Sequence, residues 1–455
     1  MSAPHPKRKL IWATRPKVAP SKGQVKNPCL LYGLHRLDFP SAVAENQPAN
    51  KNRMTTELSN FAARLRESIQ GRDAALRRPV GAARRPCQNL EFDTLALELF
   101  AIQFQHNAAY RRICAACGFT PGVVEHWTRI PAVPTPAFKE LELTCLAPNE
   151  RTAVFHSSGT TEQKPSRHFH NAESLAVYES SLWSGFARHV VPEFGVRSSE
   201  FRMLILAPPP AQVPHSSLVH MFETIRQKIG APKTVFVGKI ATDGSWTLDF
   251  DAVLVANSSL ATRHSSLLLG TAFSFVHLLD FLAERNLRFD LPAGSRVMET
   301  GGYKNRSRSM PKTELHQFIT ERLGIPSSHI ICEYGMSELS SQAYDGVAGD
   351  GWRVTGKDSA PRHSSLDTRH FLFPPWARVQ IISPETGLEV ADGETGLIRV
   401  FDLANVFSVV AIQTEDLAIR HGGGFELLGR ATQAEPRGCS LMAQSAFYNP
   451  QSAIK

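Results

Sequence analysis

Small hydroxyl side chains and one lysine are concentrated in the stretch "FHSSGTTEQKPS", residues 155–166. Four hydroxyls there can donate short hydrogen bonds to phosphate oxygens: those of Ser157, Ser158, Thr160 and Thr161. Gly159 lets the backbone turn its N–H groups toward a ligand, and Lys164 adds a mobile positive charge. The stretch predicts a phosphate-binding loop, although its spacing is not that of a Walker A loop. A surface turn rich in serine and threonine is the alternative interpretation.

Two downstream segments carry groups that suit the rest of a nucleotide. They are "SRVMETGG" and "HIICEYGMSE", and both end strand-like runs. The residues predicted to contact the nucleotide here are Gly301, Gly302, Tyr334, Gly335 and Ser337. The ring of Tyr334 could carry an adenine, and a carboxylate is a preferred ligand of Mg²⁺. We therefore predict Glu338 and Thr161 as Mg²⁺ ligands.

A fourth segment, "TEDLAIRHGGGFELLGR", offers a carboxylate and a guanidinium. Asp416 could accept hydrogen bonds from both ribose hydroxyls, and Arg430 could lie near a phosphate or the ribose. Taken alone, either Glu338 or Asp416 is more readily interpreted as a solvated surface acid. The order of the four segments along one chain favours a nucleotide site.

The elements that must position these residues alternate between strand and helix. The run "FDTLALELFAIQFQHNAAYRRICAACG" has apolar residues every three or four positions and predicts a helix or helix pair that stops at Gly118. Short β-rich runs then alternate with helical ones, such as "AESLAVYESSLWSGFARHV" and "SSLLLGTAFSFVHLLDFLAERN". This pattern predicts an α/β fold with a parallel sheet to about residue 345, followed by a β-rich subdomain. "TAVF" as a strand would deliver the phosphate loop at its carboxyl end, the usual ligand edge of such a sheet.

The positive charge of the chain is confined to its first part. The net charge is +8, but residues 1–90 hold 17 Lys and Arg against 5 Asp and Glu, so residues 91–455 hold 33 against 37. The main body is therefore not predicted to bind nucleic acid. Residues 1–90 read as a basic, disordered arm, within which Met54 opens an amphipathic segment. Its apolar positions are Leu58, Phe61, Leu65 and Ile69. Two interpretations stay open: the protein starts at Met54, or the residues before it form a functional basic arm.

Cysteine content and hydropathy point to a cytosolic protein. The seven cysteines are an odd number scattered over a long chain, which does not suit a disulfide framework. Cys114 and Cys117 have no second pair at zinc-site spacing. No stretch approaches the roughly 20 apolar residues of a membrane-spanning helix.

The four segments resemble those of the adenylate-forming superfamily, and more closely the acyl-protein synthetase (LuxE) family. The closer match is carried by "SSGTT", "PHSSLVHM", "GGYK", "YGMSELSSQAYD", "TEDLA" and "GRATQAEPRGCSL". The resemblance implies ATP, Mg²⁺ and conversion of a carboxylic acid, chiefly a long-chain fatty acid, to acyl-AMP. It also implies a catalytic domain over residues 91–430. The loop departs from the superfamily pattern, since Glu162 replaces a glycine and Lys164 precedes the proline.

A second departure lies at the C-terminal end. Only 25 residues follow Arg430, whereas typical superfamily members continue through a mobile domain that carries a catalytic lysine. The acyl-protein synthetases are similarly short, which implies that the acyl group passes to a protein thiol and then to a partner reductase. Cys439, in a predicted mobile tail of residues 431–455, is the candidate thiol because Arg437 is near in sequence and a cation lowers a thiol pKa. A tail cysteine without function is the alternative.

Other residues and functions stay open at this point. Cys332 is predicted to be buried, and His156 and His215 are predicted to be structural rather than contacts of the acid. A ligase that uses a small thiol such as coenzyme A is the competing enzyme. A nucleotide-binding scaffold without turnover is the competing class.

Overall fold

A twelve-stranded mixed sheet forms the centre of the fold in the computed structural model. The structure describes residues 48–76, 91–157, 164–191, 202–231, 233–260, 265–301, 310–347 and 369–431. The strands are β1 (Val133–Pro134), β2 (Ala153–His156), β3 (Arg167–His170), β4 (Arg202–Leu206), β5 (Lys233–Phe236), β6 (Gly238–Ile240), β7 (Trp246–Leu248), β8 (Ser266–Thr271), β9 (Arg296–Thr300), β10 (Ile330–Tyr334), β11 (Ala343–Val347), β12 (Arg369–Leu372), β13 (Ala377–Ile382), β14 (Thr395–Asp402), β15 (Ala411–His421) and β16 (Gly424–Arg430). The helices are α1 (Pro48–Leu76), α2 (Phe92–His106), α3 (Ala108–Ala116), α4 (Ala137–Glu140), α5 (Ala172–His189), α6 (Ser217–Ile229), α7 (Phe250–Leu260), α8 (Ala272–Glu284) and α9 (Lys312–Leu323).

The sheet changes character part-way along the chain. Its order is β13-β14-β15-β16-β12-β11-β10-β9-β8-β4-β5, and β1 pairs with β15. Strands β4, β5, β8, β9 and β10 run parallel, and β11 begins the antiparallel half. Helices α5 and α6 pack on one face of the parallel half, and α8 and α9 on the other. The predicted α/β fold with a later β-rich stretch is confirmed.

The strand before the phosphate loop lies outside this sheet. "TAVF" does form a strand, β2, but it pairs with β3 in a separate antiparallel hairpin. The loop therefore joins two hairpin strands, and the expectation that it leaves a parallel strand of the sheet is wrong. A parallel partner would need a crossover of a dozen or more residues, whereas β3 begins only 11 positions after His156.

The stretch "SSLLLGTAFSFVHLLDFLAERN" is a strand followed by a helix rather than one helix. Strand β8 takes "SLLLGT", and α8 begins at Ala272, where the Thr271 side chain accepts a hydrogen bond from Ser274 N. The leucine run is buried between β4 and β9 in the middle of the sheet. A continuous apolar run of this length fits a buried parallel strand as well as a helix.

Helix α1 makes part of the predicted arm a piece of the folded body. The apolar side chains predicted for its amphipathic segment are buried: Leu58, Phe61, Leu65 and Ile69. Ser59 donates a hydrogen bond of 2.7 Å to Glu173 on α5, and His106 on α2 lies 3.1 Å from Glu57. The predicted disorder of residues 1–90 is therefore wrong for residues 48–76. Residues 1–47 and 77–90 lie outside the described chain.

Helices α2 and α3 confirm the predicted helix pair, and they anchor the turn between β14 and β15. Gln103 is fully buried; its amide nitrogen donates to Asn405 O at 2.8 Å, and its amide oxygen accepts from Val410 N at 2.8 Å. Asn107 likewise donates to Ser408 O at 3.1 Å. The turn between β14 and β15 is thus held by buried amide side chains. No helix in the described residues is long and apolar enough to span a bilayer.

Candidate functional site

Two of the predicted segments meet at the carboxyl edge of the parallel strands. Glu333 on β10 pairs in register with Thr300 on β9, so the residues that follow, Tyr334 and Gly301, come side by side at the strand ends. Gly301 has φ +70°, a conformation that glycine adopts without strain. Gly302 lies outside the described residues. The edge predicted from the strand endings therefore exists.

Gly335 lies close to the side chain of Glu333. A Cβ at this position would collide with the Glu333 carboxyl oxygen Oε1 and would lie 3.4 Å from Gln342 Cγ. The absence of a side chain at residue 335 therefore lets the Glu333 carboxyl group lie close against the backbone that follows Tyr334.

Tyr334, Asp416 and Arg430 form one connected group. The Tyr334 hydroxyl donates a hydrogen bond of 2.9 Å to Asp416 Oδ2. Asp416 and Arg430 face each other across β15 and β16, with Arg430 Nε 3.7 Å from Asp416 Oδ1. Burial raises the pKa of Asp416, and the hydrogen bond from Tyr334 and the charge of Arg430 oppose that rise. Arg430 is mostly exposed, so its side chain is accessible to a ligand.

The ring of Tyr334 is packed against other aromatic rings. Its centroid lies 6.1 Å from Phe371, 6.3 Å from Phe373 and 5.4 Å from Phe425, each at a steep interplanar angle. The residue is 6% exposed, and burial raises the pKa of its hydroxyl. The ring is held firmly, and its role as a support for adenine stays a prediction.

The described part of the phosphate loop is its neck. Ser166 N donates to Ser157 Oγ at 3.0 Å, and Ser157 N donates to Ser166 O at 3.3 Å, so the hairpin closes at these two serines. Lys164 Nζ lies 3.5 Å from Glu140 Oε2, and both side chains are exposed. The remaining predicted loop residues lie outside the described chain: Ser158, Gly159, Thr160 and Thr161.

A row of polar contacts joins this neck to Glu338. Ser166 Oγ lies 3.5 Å from Ser337 Oγ, and the Ser337 hydroxyl donates to Glu338 Oε2 at 2.9 Å. His168 on β3 holds the same turn through a 2.9 Å contact between Nδ1 and Ser337 O. The structure therefore brings the neck of the predicted phosphate loop close to Glu338, the predicted Mg²⁺ ligand.

Sequence reasoning missed two residues that fix the Glu338 turn. Asp402 is fully buried and accepts hydrogen bonds from Ser340 N at 2.9 Å and Ser341 N at 2.8 Å. Burial raises the pKa of Asp402 to about 6, although these donors oppose the shift. Asn405 donates to Glu338 O at 3.0 Å. The acid and amide of "FDLAN" directly follow an apolar run, and such residues bond to nearby backbone, which is the signal that could have found them.

The two candidate histidines have structural partners. His156 N donates to His215 O at 2.9 Å, and His215 Nδ1 lies 3.2 Å from Val154 O, so they tie β2 to the segment before α6. Burial, the neighbouring His215 and Arg167 lower the pKa of His156. These contacts agree with the structural role predicted for them.

The predicted burial of Cys332 is confirmed, and burial raises the pKa of its thiol well above the ordinary value. Cys439 lies outside the described residues.

The donor set at Glu338 suits a magnesium ion by its chemistry. A carboxylate beside hydroxyl groups provides the oxygen ligands that Mg²⁺ prefers, and bound phosphates usually complete its shell. Within the described segments, no three His, Cys, Asp or Glu side chains gather as a metal site. A Mg²⁺ at Glu338 would therefore depend on its nucleotide for further ligands.

Comparison with known proteins assigns the chain to a family. The acyl-protein synthetase (LuxE) family matches residues 84–448. The chain belongs to this family. It is an AMP-forming ligase that activates a carboxylic acid, as the resemblance of its motifs predicted.

A curated relative and solved structures agree with the family. The long-chain-fatty-acid–luciferin-component ligase of Aliivibrio fischeri is 22% identical over 363 residues, covering 77% of this chain and 86% of that protein. Two structures of 2-hydroxyisobutyryl-CoA ligase show the fold. The postadenylation state with 2-HIB-AMP has TM-score 0.54 and 14% identity, covering 78% of this chain and 69% of that one. The open conformation with 2-HIB-AMP and CoA has TM-score 0.53 and 14% identity, covering 74% and 69%.

Proposed function

We propose that this synthetase uses ATP to convert a long-chain fatty acid to its acyl-AMP and then passes the acyl group to the thiol of Cys439. The acid class is suggested by the name of the Aliivibrio fischeri relative. The acyl group then moves to a partner reductase, which would release it as an aldehyde. The observation that carries the proposal is the contact row from the neck of the phosphate loop through Ser337 to Glu338.

In the first half-reaction, a carboxylate oxygen of the acid forms a bond to the α-phosphorus of ATP. The bond from that phosphorus to the bridging oxygen breaks, and pyrophosphate leaves. The backbone and hydroxyl donors of residues 157–161 and the cation of Lys164 would hold the phosphates. Asp416 would accept from the ribose hydroxyls, and Arg430 would lie at the phosphate or ribose.

Glu338 and Thr161 would hold Mg²⁺, which supplies charge neutralisation at the phosphates when bound. The hydrogen bond from Ser337 keeps the Glu338 carboxylate oriented toward the loop neck. Asp402 and Asn405 keep the backbone of this turn in place. The turn is therefore held by the protein's own side chains.

In the second half-reaction, the thiolate of Cys439 would attack the acyl carbonyl of the adenylate. A thioester forms, the bond from the carbonyl carbon to the phosphate oxygen breaks, and AMP leaves. A coenzyme A thiol in place of Cys439 would give the competing ligase.

Exchange of labelled pyrophosphate into ATP tests the first half-reaction. We expect exchange that requires a long-chain acid and Mg²⁺ and that does not require an added thiol. ATP binding without exchange for any acid would instead identify a nucleotide-binding scaffold.

A further inference from the structure

A buried glutamic acid, Glu333, has no role in the chemistry proposed above. It lies at the end of β10, directly before Tyr334, and is 4% exposed. The hydroxyl of Thr300 donates a hydrogen bond to Glu333 Oε2. Thr300 directly precedes Gly301, so this bond joins the last residues of β9 and β10 at the two motifs.

The other oxygen of Glu333 lies against the backbone of the motif. Oε1 occupies the space beside Gly335 where a Cβ would stand, and Gln342 lies on the same side. Glu333 therefore contacts the strand end of Gly301 through Thr300 and the turn of Gly335 directly.

We propose that Glu333 is a positioning residue of the nucleotide site. Its carboxyl group clamps the ends of β9 and β10 together and so fixes Gly301 relative to Tyr334 and Gly335. The inference rests on the proposed function, because it assigns these strand ends to ATP.

The protonation state of Glu333 matters because its described titratable neighbours are acids. Tyr178 on α5 and Tyr344 on β11 interact electrostatically with it, and so does Glu299 on β9, whose own side chain lies on the other face of the sheet, 3.4 Å from His316. Burial raises the pKa of Glu333 to about 7; the Thr300 hydrogen bond opposes this, and Glu299 raises it further.

The sign of the pH effect follows from this shift. The carboxyl group is neutral below about pH 7 and ionised above it. An ionised Glu333 places a buried negative charge beside the edge assigned to the nucleotide, and the low polarity there strengthens its repulsion of the negatively charged ATP. We expect ATP affinity to fall as pH rises through about 7.

Calorimetric titration of the full chain with ATP and Mg²⁺ between about pH 6 and pH 8.5 measures this effect. We expect the dissociation constant of ATP for the unaltered protein to rise about tenfold over that interval. This is the same free-energy change as a shift of about one unit in a pKa. Glu333→Gln keeps the size and an acceptor for Thr300 but cannot ionise. Its profile should lack this rise, and the ionisation of ATP itself contributes equally to both proteins.

Glu299→Gln is the matched control, since it changes a buried acid on the same strand pair whose side chain lies 3.4 Å from His316 on α9. It should keep the pH-dependent step and move it to lower pH, because a charge that raises the pKa of Glu333 is lost. Thr300→Val removes only the hydroxyl and should weaken ATP binding at every pH.

Three outcomes would count against the clamp. The clamp would be overturned if Glu333→Gln had the same pH profile as the unaltered protein. It would also be overturned if Thr300→Val bound ATP with unchanged affinity, and this second variant provides the test if Glu333→Gln does not fold. Failure of the unaltered protein to bind ATP at any pH would overturn the proposed function as well, and it differs from the other two because it needs no variant.

Discussion

At the residue scale, Asp416 is the group whose removal should separate binding from folding. Its carboxylate accepts from Tyr334 and faces Arg430, and it is only partly buried. In Asp416→Ala the ribose would lose a charged acceptor, and hydrogen bonds to charged groups contribute about 1.5–3 kcal/mol. We expect the KM for ATP in pyrophosphate exchange to rise by about tenfold to a hundredfold.

The control for Asp416 is its neighbour Glu415, which is exposed on the same strand. Glu415→Gln should exchange at the parental rate. If Asp416→Ala kept the parental ATP dependence, Asp416 would not belong to the site.

Glu338 should affect turnover more than folding. Its carboxylate has a described hydrogen bond only from Ser337, within the same turn, while its backbone is held by Asn405. Loss of one preorganised group that stabilises a transition state costs about a hundredfold to a thousandfold in kcat, and we expect Glu338→Ala to lose exchange on that scale.

Glu338→Gln keeps the size of the side chain and should retain some exchange with a higher requirement for Mg²⁺. Thermal unfolding of both variants should stay close to that of the parent. Exchange at the parental rate with the same Mg²⁺ dependence would remove Glu338 from the metal site.

From the sequence we predicted side chains whose chemistry suits a ligand, and we missed those that hold the backbone. Glu338, Asp416 and Arg430 could be proposed because their chemistry suits a nucleotide and their motifs resemble those of a family. Asp402 and Glu333 bond to partners 61 and 33 positions away in the chain. No local pattern specifies such partners, since they depend on which strands become neighbours.

At the scale of elements, β2 and β3 form a hairpin whose connection is the predicted phosphate loop. The sequence indicated the strand but not its partner, because a four-residue apolar run fits a hairpin and a sheet equally well. The alternation of strands and helices predicted the parallel half of the sheet better than it predicted the hairpin. Each crossover helix forces its flanking strands to run in the same direction.

Helix α1 provides a prediction about truncation. Removal of residues 1–53 leaves the buried face of α1 from Leu58 onward, and we expect pyrophosphate exchange to remain. Removal of residues 1–76 uncovers the surfaces of α2 and α5. Each large apolar side chain buried there contributes roughly 1.5–3 kcal/mol, and stability margins are only about 5–15 kcal/mol.

We therefore expect the longer truncation to aggregate or to unfold at a much lower urea concentration. Full chains with Phe61→Ala and Leu65→Ala should show the same loss of stability to a smaller degree. A longer truncation as stable and active as the parent would show that α1 only rests on the body.

At the scale of the whole molecule, the body that activates the acid and the proposed acceptor thiol occupy different parts of the chain. The described residues end at 431, whereas the family match continues to residue 448 and includes Cys439. Among the described cysteines, Cys332 and Cys145 are buried, and burial raises the pKa of both thiols. A buried thiol that stays protonated is a poor nucleophile, so Cys439 is a better candidate acceptor than these two.

Cys439→Ser should therefore separate the two half-reactions. The acid, ATP and Mg²⁺ contacts proposed above lie elsewhere, so the variant should still exchange pyrophosphate. It should no longer carry a covalent acyl group after incubation with ATP, Mg²⁺ and a labelled long-chain acid. The measurement is protein-bound label that neutral hydroxylamine releases, as it does from a thioester.

Cys332→Ser is the matched control and should keep the label, since its thiol is buried. A hydroxylamine-labile label at the parental level in Cys439→Ser would place the acyl group on another cysteine. Exchange without label in the parent would favour an external thiol, and added coenzyme A should then yield a free acyl thioester.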